Sequence, residues 1–261
     1  MNVSGIDPAP KRGLQVFDGA DRQIELEDAA AFLAGLARDD DHLVCWDAPL
    51  TGPPSWVVDG AAAEGSAFCQ RPLESFFGRA SAGFKTPPGI SVQGYAGCPH
   101  WALTRSLLGL PRVGRFDAKA ESLPFRPMTS DSQRPERGRC IVEVHPAVAL
   151  WLWCRDERGV AASWLYHRSK VRKVDREKVL RGLWESLLKV RACAGVFPPT
   201  LRDPGTDDEL DARVAYALGR LWLDDPAKVS FLGDADTGGF LLPRVPGMEE
   251  RFRSFVESLA K

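Results

Sequence analysis

Four acidic residues stand where acids are least expected. Asp47 closes the apolar run HLVCW at 42–46, and Asp7 closes VSGI at 3–6. Glu143 lies inside IVEVHP at 141–146, and Asp211 sits in the opening turns of DDELDARVAYALG at 207–219. An unpaired buried carboxylate costs several kcal/mol or keeps its proton. If the two runs that end on aspartate are parallel neighbours, Asp7 and Asp47 come within a few ångströms of each other. Like charges so close push one carboxyl to hold a proton, and a divalent cation removes the conflict. Mg²⁺ takes hard oxygen ligands and needs only one or two carboxylates beside water and substrate phosphate. Two ions about 3.5–4 Å apart activate a water and stabilise the leaving oxygen in phosphodiester cleavage. The helix N-terminus beside Asp211 favours its anion. Each acid also has a structural reading: Asp47 and Asp7 start turns before proline, Glu143 could pair with an arginine, and Asp211 could be an exposed first-turn acid.

Positioning these acids needs strands and one helix. Residues 2–7 read as a strand, and 14–19 and 22–28 as two more, separated by the turn residues Asp18, Gly19 and Asp21. Residues 27–38 have helical spacing of Ala30, Leu33, Leu36 and Ala37, and the strand ending at Asp47 follows. The stretch 51–69 is rich in Gly, Pro and Ala and reads as a loop or lid. Helical material begins near 71 and again at 100–110, with loop between, and 123–139 reads as a charged surface connection. A buried strand at 140–144 precedes a helix opened by Pro146. Residues 168–191 carry nine Lys and Arg against three acids on a helical pattern. Thr206 and Glu209 fit a capping box for the helix that bears Asp211. A short strand at 237–244 and a C-terminal helix close the chain. The order predicts a mixed sheet of five strands with helices on its faces, in one domain over 1–261 with 51–139 inserted.

Composition excludes some classes. Of 261 residues, 44% are hydrophobic and 26% charged, with net charge −1, so a sizeable core is expected and bulk charge predicts neither nucleic-acid nor membrane attraction. No apolar run approaches the roughly 18 residues of a spanning helix. The opening MNVSGIDPAP lacks the basic and apolar parts of a signal peptide, so a cytoplasmic protein is expected. The six cysteines are scattered and read as buried thiols; Cys98 and His100, with Cys69, form a zinc-ligand spacing of little specificity.

The order of elements and acids resembles the ribonuclease H-like superfamily. The local motifs are closer to one member, the family of predicted nucleases known as domain of unknown function 429. The matching pieces are GID at 5–7, CWDAPL at 45–50, CQRPLESFFGR at 69–79, VEVHPAVAL at 142–150, DDELDARVAYALG at 207–219 and GGFLLP at 238–243. The resemblance implies a ribonuclease H-like α/β sheet and makes Asp7, Asp47, Glu143 and Asp211 the catalytic carboxylates that bind Mg²⁺ or Mn²⁺. Arg71 becomes a substrate contact, although Gln70 stands where that segment of the family has an acid. His145 is read as structural.

The expected function is therefore metal-dependent nuclease, a hydrolase of DNA or RNA, with Lys170, Arg172, Lys173 and Arg176 holding the phosphate backbone. The same basic segment reads equally well as a solvated helix face. A second reading is a non-catalytic binding module on a nuclease-like scaffold. A third is a phosphotransferase of the actin-like ATPase fold, against which PAP follows Asp7 where such kinases carry Gly-Thr or Gly-Ser. No G-x-S-x-G elbow supports a serine hydrolase.

Overall fold

The computed structural model describes residues 1–51, 71–78, 84–90, 92, 99–109, 124–130, 135, 137–158, 163–167, 173–235 and 237–259, with backbone alone at 99, 101, 102, 173 and 174. Strand β1 (Asn2–Ala9) turns back through β2 (Gly13–Phe17) to β3 (Asp21–Ile24), each pair antiparallel. Helix α1 (Ala29–Leu36) then crosses to β4 (His42–Trp46), which lies parallel to β1 with Gly5 opposite Cys45 and Ile6 opposite Trp46. All five residues of β4 are buried, as expected of a central strand covered on both faces.

The connection after β4 includes helices α2 (Pro72–Gly78) and α3 (Pro99–Leu108) and the short strand β5 (Arg126–Met128). Strand β6 (Arg139–Glu143) is parallel to β4 on one side and to β5 on the other. The main sheet therefore has six strands in the order β3-β2-β1-β4-β6-β5. The expected five omitted β5, which lies within the 123–139 stretch read as a surface connection. That strand has three residues and contains Pro127, which has no amide to donate and is tolerated at a sheet edge.

Helix α4 (Pro146–Arg158) opens on the expected proline and is followed by α5 (Lys173–Lys189) and α6 (Asp207–Asp224). Strands β7 (Val229–Asp234) and β8 (Gly238–Pro243) form an antiparallel hairpin, of which only the second strand was legible as such. A bridge from Val144 to Leu241 links this hairpin to the end of β6. Helix α7 (Met248–Leu259) ends the described chain.

Strand alternation divides the core. Val3, Leu43, Cys45 and Val142 pack with α4, α5 and α6, whereas Ile6, Val44, Trp46 and Ile141 pack with α1 and Leu108 of α3. Helix α6 lies so close to β1 that a Cβ on Gly5 would stand 2.0 Å from the Ala212 carbonyl oxygen. At the other end of the contact, a Cβ on Gly219 would stand 2.4 Å from Cys45 Sγ. The helix is capped as its sequence predicts, Thr206 Oγ1 accepting from the Glu209 amide at 3.1 Å. The returning bond differs: Glu209 accepts from the Gly205 amide at 2.7 Å and from Arg202. Arg213, wholly buried, ties α6 to the start of β3 through Asp21 and lies over the Phe17 and Trp184 rings. No helix among the described residues is long and apolar enough to cross a membrane. The described cysteines, at 45, 140, 154 and 193, are free and buried; Cys69 and Cys98 lie outside the described residues.

Candidate functional site

Parallel pairing puts the ends of β1 and β4 side by side. Ile6 faces Trp46 across the ladder, so Asp7 and Asp47 are the next residues on adjacent strands, and the Asp47 amide donates to the Ile6 carbonyl at 2.9 Å. By alternation both acids belong to the face covered by α6. The close approach at Gly5 brings Asp211 over them from that helix. All three aspartates line one cavity of about 330 Å³ at the strand ends, together with Glu143, Glu74, Asp207 and Asp208.

The electrostatics of this cavity follow from crowding. Asp7 is held well above the usual carboxylate range, first by burial and then by Asp47 and Asp208. Burial, then Glu143 and Asp208, push Asp47 up to about 8. Asp211 is raised by burial and by Asp47 and Asp7, although Tyr166, donating to its Oδ1 at 2.7 Å, acts in the opposite direction. Neither Asp7 nor Asp47 receives a side-chain hydrogen bond among the described residues. A cation reaches the cluster from its edge, Arg12 pairing with Asp208, and the His167 imidazole lies 3.7 Å from Asp207.

Glu143 is placed differently. It lies in register with Trp46, one residue out of phase with Asp7 and Asp47. Its Oε2 accepts from the Leu50 amide and from Arg71, both at 2.8 Å, and Oε1 accepts from the same guanidinium. Arg71 is wholly buried and also engages Glu74, Thr51 Oγ1 at 2.9 Å and the face of Phe240. Even so, burial carries Glu143 up to about 7, against the pull of Arg71. Glu74 is likewise raised by burial, and its Oε2 is buried with no hydrogen-bond partner among the described residues.

Arg71, expected as a substrate contact, has its partners within the fold. Its side chain is committed to two glutamates and does not line the cavity. The arginine pairing weighed for Glu143 is the one present. No described residue of the basic 168–191 stretch lines the cavity either. Lys170 and Arg172 lie outside the described residues, Lys173 begins α5, and Arg176 is a partly buried residue of that helix. His145 lines the cavity and meets the Phe240 ring edge-on, with centroids 5.3 Å apart.

Sequence reasoning missed Glu74, Asp207, Asp208, His100 and His167 as cavity residues. Asp207 and Asp208 were visible as first-turn acids on the helix that carries Asp211. Nothing local marks Glu74, which lies between Leu73 and Ser75 in a largely apolar α2. A serine–histidine–aspartate chain does exist elsewhere: Ser4 Oγ lies 2.9 Å from His42 Nε2, and His42 Nδ1 3.3 Å from Asp39. Ser4 and His42 are buried and none of the three lines the cavity, so the chain joins β1 to the start of β4.

Among the described residues, no group of three or more His, Cys, Asp or Glu side chains is arranged to hold a metal ion. The chemistry of the donor set nevertheless fits a hard dication. It consists of oxygen ligands, crowded and buried, two of them without donors among the described residues, and Mg²⁺ is bound through one or two carboxylates rather than a full protein cage.

Comparison with curated proteins and with solved structures gave no match. A family model did match, over residues 5–237, a span that runs from Gly5 beside the first aspartate to the turn before β8. The chain belongs to the family described as protein of unknown function (DUF429).

Proposed function

We propose that the chain is a Mg²⁺- or Mn²⁺-dependent nuclease built on a ribonuclease H-like fold. The observation that carries the reading is the convergence of Asp7, Asp47 and Asp211 in one cavity, with their carboxyls driven toward the neutral form by burial and by one another. Such a cluster is unfavourable as three anions and becomes favourable around a dication. The strand order β3-β2-β1-β4-β6, antiparallel on one side of β1 and parallel on the other, supports the fold assignment; β5 is an addition at the edge.

Asp7, Asp47 and Asp211 would hold the ion. When bound, it supplies positive charge to the phosphate and makes water a stronger nucleophile near neutral pH. The remaining work falls to the chain. Tyr166 favours the anionic form of Asp211 by donating to it, and Arg71 fixes Glu143 beside Asp47. Arg12, whose side chain is 40% exposed at the cavity edge, offers a cation to a phosphate oxygen. DNA and RNA are both admitted as the partner by this arrangement.

Titration calorimetry with Mn²⁺ on the wild type and on folded Asp47→Asn tests the reading, followed by a panel of single- and double-stranded DNA and RNA. Binding that Asp47→Asn abolishes, with metal-dependent cleavage by the wild type, is the expected result. A wild type that neither binds Mn²⁺ at millimolar concentration nor cleaves any member of the panel overturns it.

A further inference from the structure

The carboxylates form the acidic part of the cavity, but three imidazoles also line it, those of His100, His145 and His167. His167 has its Nδ1 3.7 Å from Asp207 Oδ2, and 39% of its side chain is exposed. Its ring lies against that of Tyr166, with centroids 4.1 Å apart and planes 31° apart, and Tyr166 is fixed by its bond to Asp211. The imidazole is thus placed from two sides by residues that also border the carboxylate cluster. His100, the second residue of α3, lines the same cavity, and burial followed by the charge of His167 lowers its pKa. His167 is the one set against a carboxylate at the cavity wall, Asp207. With Nδ1 turned to Asp207, Nε2 is the nitrogen left for substrate.

We propose that His167 is a catalytic residue, the general acid that protonates the leaving oxygen in phosphodiester hydrolysis, and that Asp207 is its positioning residue. The inference rests on the nuclease reading above. In the step, a water oxygen forms a bond to phosphorus. The bond from phosphorus to the leaving oxygen breaks, its electron pair passing to that oxygen, which takes the Nε2 proton. The proton lost by the attacking water goes to solvent, and solvent reprotonates the imidazole. An acid is needed when the leaving group is a sugar alkoxide, as in nucleic acid. It is dispensable when the leaving group is already a stable anion.

Leaving-group dependence tests this. In Mn²⁺, wild type, His167→Ala and His167→Gln are compared on dinucleotides (deoxy and ribo) and on thymidine 5′-(p-nitrophenyl phosphate), whose nitrophenolate departs without a proton. The expected result is a loss of about 10²–10⁴-fold on the dinucleotides, a nearly unchanged rate on the nitrophenyl ester, and partial rescue of His167→Ala by added imidazole. Asp207→Asn should show the same selective loss in smaller measure. An equal loss on both substrates in the folded variants, without rescue, overturns the assignment and leaves the nuclease reading standing. A wild type that cleaves neither substrate overturns both.

Discussion

Asp47 makes a prediction about stability that needs no substrate. In the unfolded chain an aspartate titrates near 3.9, whereas in the fold Asp47 titrates at about 8. Between these values the folded protein keeps a proton that the unfolded chain has released, so raising the pH favours unfolding. One such carboxyl contributes about 1.4 kcal/mol per pH unit, tapering as the pH reaches 8. From pH 6.5 to 8.0 the metal-free protein should therefore lose on the order of 1–2 kcal/mol through Asp47. Glu143, at about 7, and the raised Asp7 and Asp211 act in the same direction. For a chain of this size that corresponds to a fall in Tm of about 3–6 °C. The window starts at 6.5 because His42, whose pKa burial lowers, destabilises the fold below that value. Differential scanning calorimetry in EDTA reads the slope, with Asp47→Asn as the control. The substitution should flatten much of the slope and raise Tm at pH 8, and Mn²⁺ should raise the wild-type Tm most at the alkaline end. A flat or rising wild-type Tm across the window, or an unchanged slope in Asp47→Asn, would refute the electrostatic argument.

Three further substitutions probe the supports of the site. Tyr166→Phe removes the donor to Asp211 and should weaken Mn²⁺ affinity at pH 7 about tenfold, the equivalent of one hydrogen bond to a charged group at about 1.5 kcal/mol, as measured by calorimetry. Arg71→Met strands Glu74 and Glu143 without their cation and should cost about 3–5 kcal/mol in denaturant unfolding; adding Glu143→Gln should recover part of the loss. Gly5→Ala forces β1 and α6 apart at a backbone contact and should cost about 1–3 kcal/mol, together with a loss of Mn²⁺ affinity that an equally destabilising core substitution far from the cavity does not produce.

Much of the site could be read from the sequence because strand physics is local. The alternation of Val3, Gly5 and Asp7, and of Leu43, Cys45 and Asp47, assigns both acids to one face once the strands are parallel. The cap at Thr206 fixed where the helix bearing Asp211 begins. What escaped was non-local or short. Glu143 shares the strand-end position of the aspartates, yet its partner Arg71 lies 72 residues away, and no periodicity connects them. Strand β5 is three residues containing a proline, and β7 lies in a segment whose ladder forms only with β8. Glu74 escaped because a buried acid in an apolar helix becomes legible only when its arginine is known. The basic 168–191 stretch shows the converse: its charge was conspicuous, but none of its described residues lines the cavity.

The contact between β1 and α6 has a consequence for how the site tolerates change. At Gly5 the strand and the helix meet backbone to backbone, so no side chain serves as an adjustable spacer between the elements that carry Asp7 and Asp211. Rotamer changes and volume swaps elsewhere in the core can be absorbed without altering that gap. The dimension that matters for the carboxylates is thereby insulated from ordinary drift in the hydrophobic interior. The same insulation leaves no gradual route at Gly5 itself: every other residue adds a Cβ, and the first carbon added already changes the separation of the acids.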